Sequence, residues 1–114
     1  MEKTVTRKNG DTLTVKPMTP MRSIEAGRLL QRCKIGTKLN DPGLESAGYL
    51  GVALAIACLV SYKTKDGANP LAGLDERMQL DLLADIPGLS DEIVSAAGDY
   101  GREIAEDRGR DAGN

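Results

Sequence analysis

From Ala47 to Val60 the chain reads Ala-Gly-Tyr-Leu-Gly-Val-Ala-Leu-Ala-Ile-Ala-Cys-Leu-Val, with no charge. At helical spacing this run sorts into three stripes. Tyr49, Val52, Ile56 and Leu59 form a large apolar stripe, Gly48, Gly51, Ala55 and Cys58 a small one, and Leu50, Leu54 and Ala57 a third. A helix apolar on nearly every side is buried nearly all round. The pattern therefore predicts a central helix reaching about Tyr62, with glycines that would let another backbone approach. At about 14 residues the run is short of the roughly 20 that span a bilayer, so a buried core helix is expected and no membrane segment.

Before it, Thr4-Val5-Thr6 and Thr12-Leu13-Thr14-Val15 flank Asn9-Gly10, which predicts a β-hairpin over Lys3–Lys16. A two-residue turn would put Val5 on the face opposite Leu13 and Val15. A three-residue loop, Lys8-Asn9-Gly10 with Gly10 left-handed, pairs Arg7 with Asp11 and Val5 with Leu13, and gathers Val5, Leu13 and Val15 on one face. Because a ribbon docks through one apolar face, the three-residue loop is expected. Its open edges are a candidate partner site.

Thr19 and Pro20 predict the start of a helix whose apolar positions are Met21, Ile24, Leu29 and Cys33, stopped at Gly36, with Arg22, Arg28 and Arg32 facing away. Thr37–Asn40 reads as a loop, Asp41 as an N-cap and Pro42 as the first residue of the central helix. After a turn-rich stretch over Lys63–Gly73, Asp75 opens a short helix through Met78, Leu80, Leu82, Leu83 and Ile86. Ser90 is expected to cap a last helix with Ile93, Val94, Ala97, Tyr100 and Ile104 on its apolar side. The fold class is thus mainly α: a four-helix compact domain over 1–106 with an N-terminal β-hairpin (3–16), and a flexible tail over 107–114.

Composition narrows the chemistry. The 114 residues include no His, Phe or Trp, three Tyr and two Cys. Without histidine there is no Ser-His or Cys-His pair and no imidazole metal ligand. Cys33 and Cys58 lie in apolar helical patterns as structural thiols, which implies a reducing, intracellular setting. Asp81 and Asp85 share a helix face, with no third ligand nearby in sequence. No phosphate-binding glycine loop occurs. No catalytic residue, metal or cofactor is expected, and the chain is read as a non-enzyme. The net charge of −2 hides a segregation: residues 1–40 hold nine basic and three acidic side chains, the remainder six and fourteen. The halves could pack together, or copies of the chain could meet through them. Nucleic-acid binding by the basic half is the weakest reading, because that half has no aromatic residue to stack on bases.

The order of parts also carries a resemblance. A ribbon leads into Lys16-Pro17-Met18-Thr19-Pro20, followed by an arginine-bearing helix and an Ala/Leu-rich helix ending Ala57-Cys58-Leu59-Val60-Ser61-Tyr62. Then come Asp66-Gly67-Ala68-Asn69-Pro70-Leu71, a short acidic helix and a final helix over Ser90–Tyr100. This layout resembles the tail assembly chaperones of long-tailed bacteriophages over about residues 3–100. The resemblance implies a non-enzymatic homo-oligomer in the host cytoplasm that binds the tape measure protein and tail tube protein and is absent from the mature virion. On this reading Tyr49, Val52, Ile56, Leu59, Val5, Leu13 and Val15 serve self-association or partner binding, and Arg22, Arg28 and Arg32 serve charged contact. The alternative is a small phage or bacterial regulatory protein that binds nucleic acid through the basic half.

Overall fold

Gly10 closes the N-terminal hairpin with φ +94°, a backbone conformation that glycine adopts without a Cβ clash. Its N–H donates to the Arg7 carbonyl at 3.0 Å, and the Arg7 N–H donates to the Asp11 carbonyl at 2.7 Å. Strand β1 (Lys3–Thr6) therefore pairs with β2 (Thr12–Val15) in the register of the three-residue loop, with Val5 opposite Leu13. The computed structural model describes residues 1–35 and 44–112.

After Thr19 the chain enters α1 (Pro20–Arg32). Its buried residues are Ala26, Leu29 and Leu30, whereas Met21 and Ile24 are 45% and 47% exposed. The second half of the expected stripe is thus the one used, with Leu29 buried and Cys33 packed against the core, and its first half is not. Positions 26, 29, 30 and 33 meet the rest of the core, and Met21 and Ile24 turn outward. The helix also stops before Gly36. Lys34 takes the left-handed conformation (φ +57°), its N–H donates to the Gln31 carbonyl, and the N–H of buried Ile35 donates to the Leu30 carbonyl. This is a left-handed closure of the kind glycine usually supplies. The loop at Thr37–Asn40 and the helix start at Asp41 and Pro42 lie outside the described residues.

The central helix, α2 (Leu44–Cys58), is shorter than its sequence pattern. At Leu59 it passes directly into a strand, β3 (Leu59–Lys63), which pairs antiparallel with the free side of β2. The hairpin is thus two-thirds of a three-stranded sheet in the order β1-β2-β3. Val60, Ser61 and Tyr62 are indifferent helix formers, and Val60 and Tyr62 are good strand formers. They also supply the third strand that a lone hairpin needs for stability. The register shifts between Thr14 and Val15, which leaves Val60 as the extra, bulged residue.

Asp75 caps α3 (Glu76–Asp85), accepting from the Met78 N–H at 2.9 Å. Helix α4 (Leu89–Ala112) begins one residue before Ser90, whose buried hydroxyl has no hydrogen-bond partner among the described residues and caps nothing there. It stays helical where a tail was expected from Asp107. Leu13, Val15, Cys58, Leu80, Leu83, Leu89 and Ile93 make the centre of the core, each less than 2% exposed. The fold is mainly helical, with four helices beside the sheet among the described residues.

Helix α2 packs against α1, α3 and α4. Val52, Ala53, Ala55, Ala57 and Cys58 are buried, but Leu50 is 57% exposed and Gly48 and Gly51 face outward. A Cβ at either glycine would meet no atom within 4 Å, so neither serves a close approach among the described residues. The uncovered positions described on this helix are Gly48, Leu50 and Gly51.

Candidate partner-binding surface

The structure turns most of the expected contact residues inward. Leu13, Val15 and Val52 are buried in this chain's own core, at 1%, 0% and 7% exposure. Val5, Tyr49, Ile56 and Leu59 are partly buried and packed against it. All seven therefore contribute to this chain's own packing. Both cysteines are free thiols, Cys58 buried and Cys33 half-buried, and burial pushes each thiol's pKa up.

Three ion pairs match part of the segregated charge within the chain. Lys3 Nζ lies 2.5 Å from Glu103, Arg7 grips Glu92 Oε2 through Nε and Nη2 at 2.9 and 2.7 Å, and Arg32 reaches Glu76 at 2.6 Å. Each pair joins the basic N-terminal part to the acidic remainder. Of the three arginines expected to make outward charged contacts, Arg32 is occupied by Glu76 and Arg22 is largely covered and bridged to Glu25. Arg28 is exposed and stands without an ion-pair partner among the described residues.

A polar knot pins the sheet. The Tyr62 hydroxyl donates to Asp11 Oδ2 at 2.7 Å, Asn9 Nδ2 donates to the same oxygen at 3.2 Å, and the Lys65 N–H donates to Oδ1 at 3.0 Å. The Tyr62 hydrogen bond is the leading cause holding the Asp11 carboxyl below its ordinary pKa. Burial is the leading cause raising the Tyr62 phenol. Both effects fit a static clamp. A second clamp joins α2 to α3, where the Tyr49 hydroxyl donates to Asp81 at 2.5 Å and the Arg77 guanidinium lies 4.9 Å from the Tyr49 ring centre. Asp81 is engaged there, and among the described residues no three Cys, Asp or Glu side chains gather as a metal site would require.

A groove of about 490 Å³ lies between the Pro17–Pro20 segment and the far half of α4. Its apolar lining comes from Met1, Pro17, Met18, Pro20, Ile104 and Ala105, with Arg108 at the rim. Gly101 makes this seam. The Met18 N–H donates to the Ala97 carbonyl at 2.9 Å, and a Cβ at Gly101 would fall 2.8 Å from the Met18 carbonyl oxygen. Only glycine admits that approach. The sequence does carry a signal for it, the small residues Ala97, Gly101 and Ala105 at four-residue spacing. Nothing local says which segment of chain those residues receive. Met21, next in sequence to the groove residue Pro20, is exposed on the first turn of α1.

No helix among the described residues is long and apolar enough to cross a membrane. No family model matches the chain, and neither a curated protein nor a solved structure matches it.

Proposed function

We propose that this chain is a non-enzymatic assembly chaperone of a long-tailed bacteriophage, one that self-associates and holds the tape measure protein and tail tube subunits while the tail is built. The observation that carries this reading is the groove between Pro17–Pro20 and α4, apolar along most of its lining and fringed by methionines. Unbranched, polarisable methionine side chains repack around differently shaped apolar partners. An amphipathic helix laid into such a groove is bound through apolar anchors at spacings of three and four residues. That is how one small protein can grip successive stretches of a long helical client. Met21, Ile24 and Leu50 are further exposed apolar side chains.

Nucleic-acid binding by the basic half draws less support, because Lys3, Arg7 and Arg32 already carry carboxylate partners. The proposal is tested with a labelled amphipathic helical peptide from the tape measure protein, titrated against the full chain by fluorescence anisotropy. Ala105→Glu places a charge at an exposed groove position without disturbing the core. It is expected to weaken binding at least tenfold, whereas Asp85→Lys, on the exposed side of α3, leaves it unchanged. Equal affinity for all three proteins would remove the groove from the mechanism.

A further inference from the structure

We infer that the self-association in the reading above, on which this inference rests, runs through the open edge of β1, paired antiparallel with β1 of a second copy across a two-fold axis at Val5. Among the described residues, strand β1 has β2 on one side and no strand on the other. The Arg7 backbone faces β2, since its N–H reaches the Asp11 carbonyl. Antiparallel ladders alternate, so Lys3 and Val5 also aim their backbone groups at β2, and Thr4 and Thr6 aim theirs outward. Two copies can exchange those hydrogen bonds in three close registers. Thr4 can face Thr4, Thr6 can face Thr6, or Thr4 can face Thr6.

Charge selects the last of these. With Thr4 opposite Thr6 of the second copy, Glu2, just before the strand, comes to the same end as Lys8, the first loop residue of the second copy, and symmetry supplies the pair twice. Glu2 and Lys8 are both exposed and make no ion pair among the described residues. The other two registers oppose one of these charges to a threonine. On the inner face the same register sets Lys3 against Arg7 of the second copy, but each cation already carries its own carboxylate, Glu103 and Glu92. Those two carboxylates line a groove of about 500 Å³ between β1 and α4, so neither cation faces the other bare. The opposite sheet edge suits pairing less. Asn69 and Leu71 stand with β3 around a cleft of about 230 Å³, and the exposed Lys63 at its end is a charge of the kind that blunts an edge.

Sedimentation velocity of the full chain across a concentration series decides it. Thr4→Pro deletes an outward N–H and leaves the β1–β2 ladder its hydrogen bonds. It is expected to give a monomer with an unchanged circular dichroism spectrum. Lys8→Glu is expected to raise the dimer dissociation constant about tenfold at low salt, and Glu2→Lys combined with Lys8→Glu to restore it. If Thr4→Pro fails to fold, the charge reversal and its rescue decide alone. Self-association indifferent to all of these changes overturns the β1 pairing and leaves the chaperone reading standing. A chain that stays monomeric at every concentration and salt overturns both.

Discussion

The Tyr62 hydroxyl donates to Asp11 Oδ2 at 2.7 Å across 51 residues of sequence, joining the third strand to the hairpin turn. Asp11 is the one buried charged residue among those described, and both its carboxylate oxygens are hydrogen-bonded. Tyr62→Phe removes a single hydroxyl from this knot and keeps the ring packed. It is expected to lower stability by about 1–3 kcal/mol, the range for a hydrogen bond to a charged group, as read from urea unfolding midpoints with an unchanged slope.

The same knot sets a pH dependence at both ends of the scale. The Asp11 pKa lies below its unfolded value, so the folded state holds fewer protons than the unfolded state in that window. The contribution is whole above about pH 4 and is lost as pH falls through the lowered value. Glu76 beside Arg32 shifts in the same direction, but it is exposed and screened. Tyr62 shifts the other way. Its contribution is whole below about pH 10 and is lost as pH rises toward its raised value. Tyr62→Phe is expected to flatten both limbs of the stability profile, and unfolding midpoints measured from pH 2.5 to 11 check this.

Two glycines of α4 respond oppositely to alanine. Alanine at an ordinary helix interior position stabilises by about 0.5–1 kcal/mol over glycine. A Cβ at Gly98 would meet no atom within 4 Å, so Gly98→Ala is expected to gain about that much. Gly101→Ala drives a methyl to 2.8 Å from the Met18 carbonyl oxygen. It is expected to cost about 1–3 kcal/mol and to loosen the groove, raising the client peptide's dissociation constant as well. Paired thermal melts of the two variants read the difference in sign.

Lys34 holds a conformation that costs an L-residue roughly 1–2 kcal/mol. Lys34→Gly removes most of that strain at the end of α1, offset in part by the entropy of a freer unfolded chain. A net gain of about 0.5–1 kcal/mol is expected, visible as a raised melting temperature with no change in the circular dichroism spectrum.

Local chemistry by itself determined several parts of this protein. The turn at Gly10 and the pairing of Val5 with Leu13 follow from period-two alternation and one left-handed residue, all within thirteen positions. The starts at Pro20 and Asp75 and the apolar positions Leu80, Leu83, Ile93 and Ala97 follow likewise from caps and helical spacing. Tertiary structure decided the rest. Leu59–Lys63 continues a helical pattern and becomes a strand, because β2 had an unpaired side and Tyr62 had Asp11 to reach. Met21 and Ile24 face outward because α2 packs against the adjacent stripe of α1. The groove joins Met18 to Gly101, 83 positions away, through a fit that neither neighbourhood encodes. Turn and cap energies are settled within a few residues, so sequence displays them. Helix rotation, strand recruitment and surface shape depend on contacts summed over distant segments, and those exist only once the chain has folded.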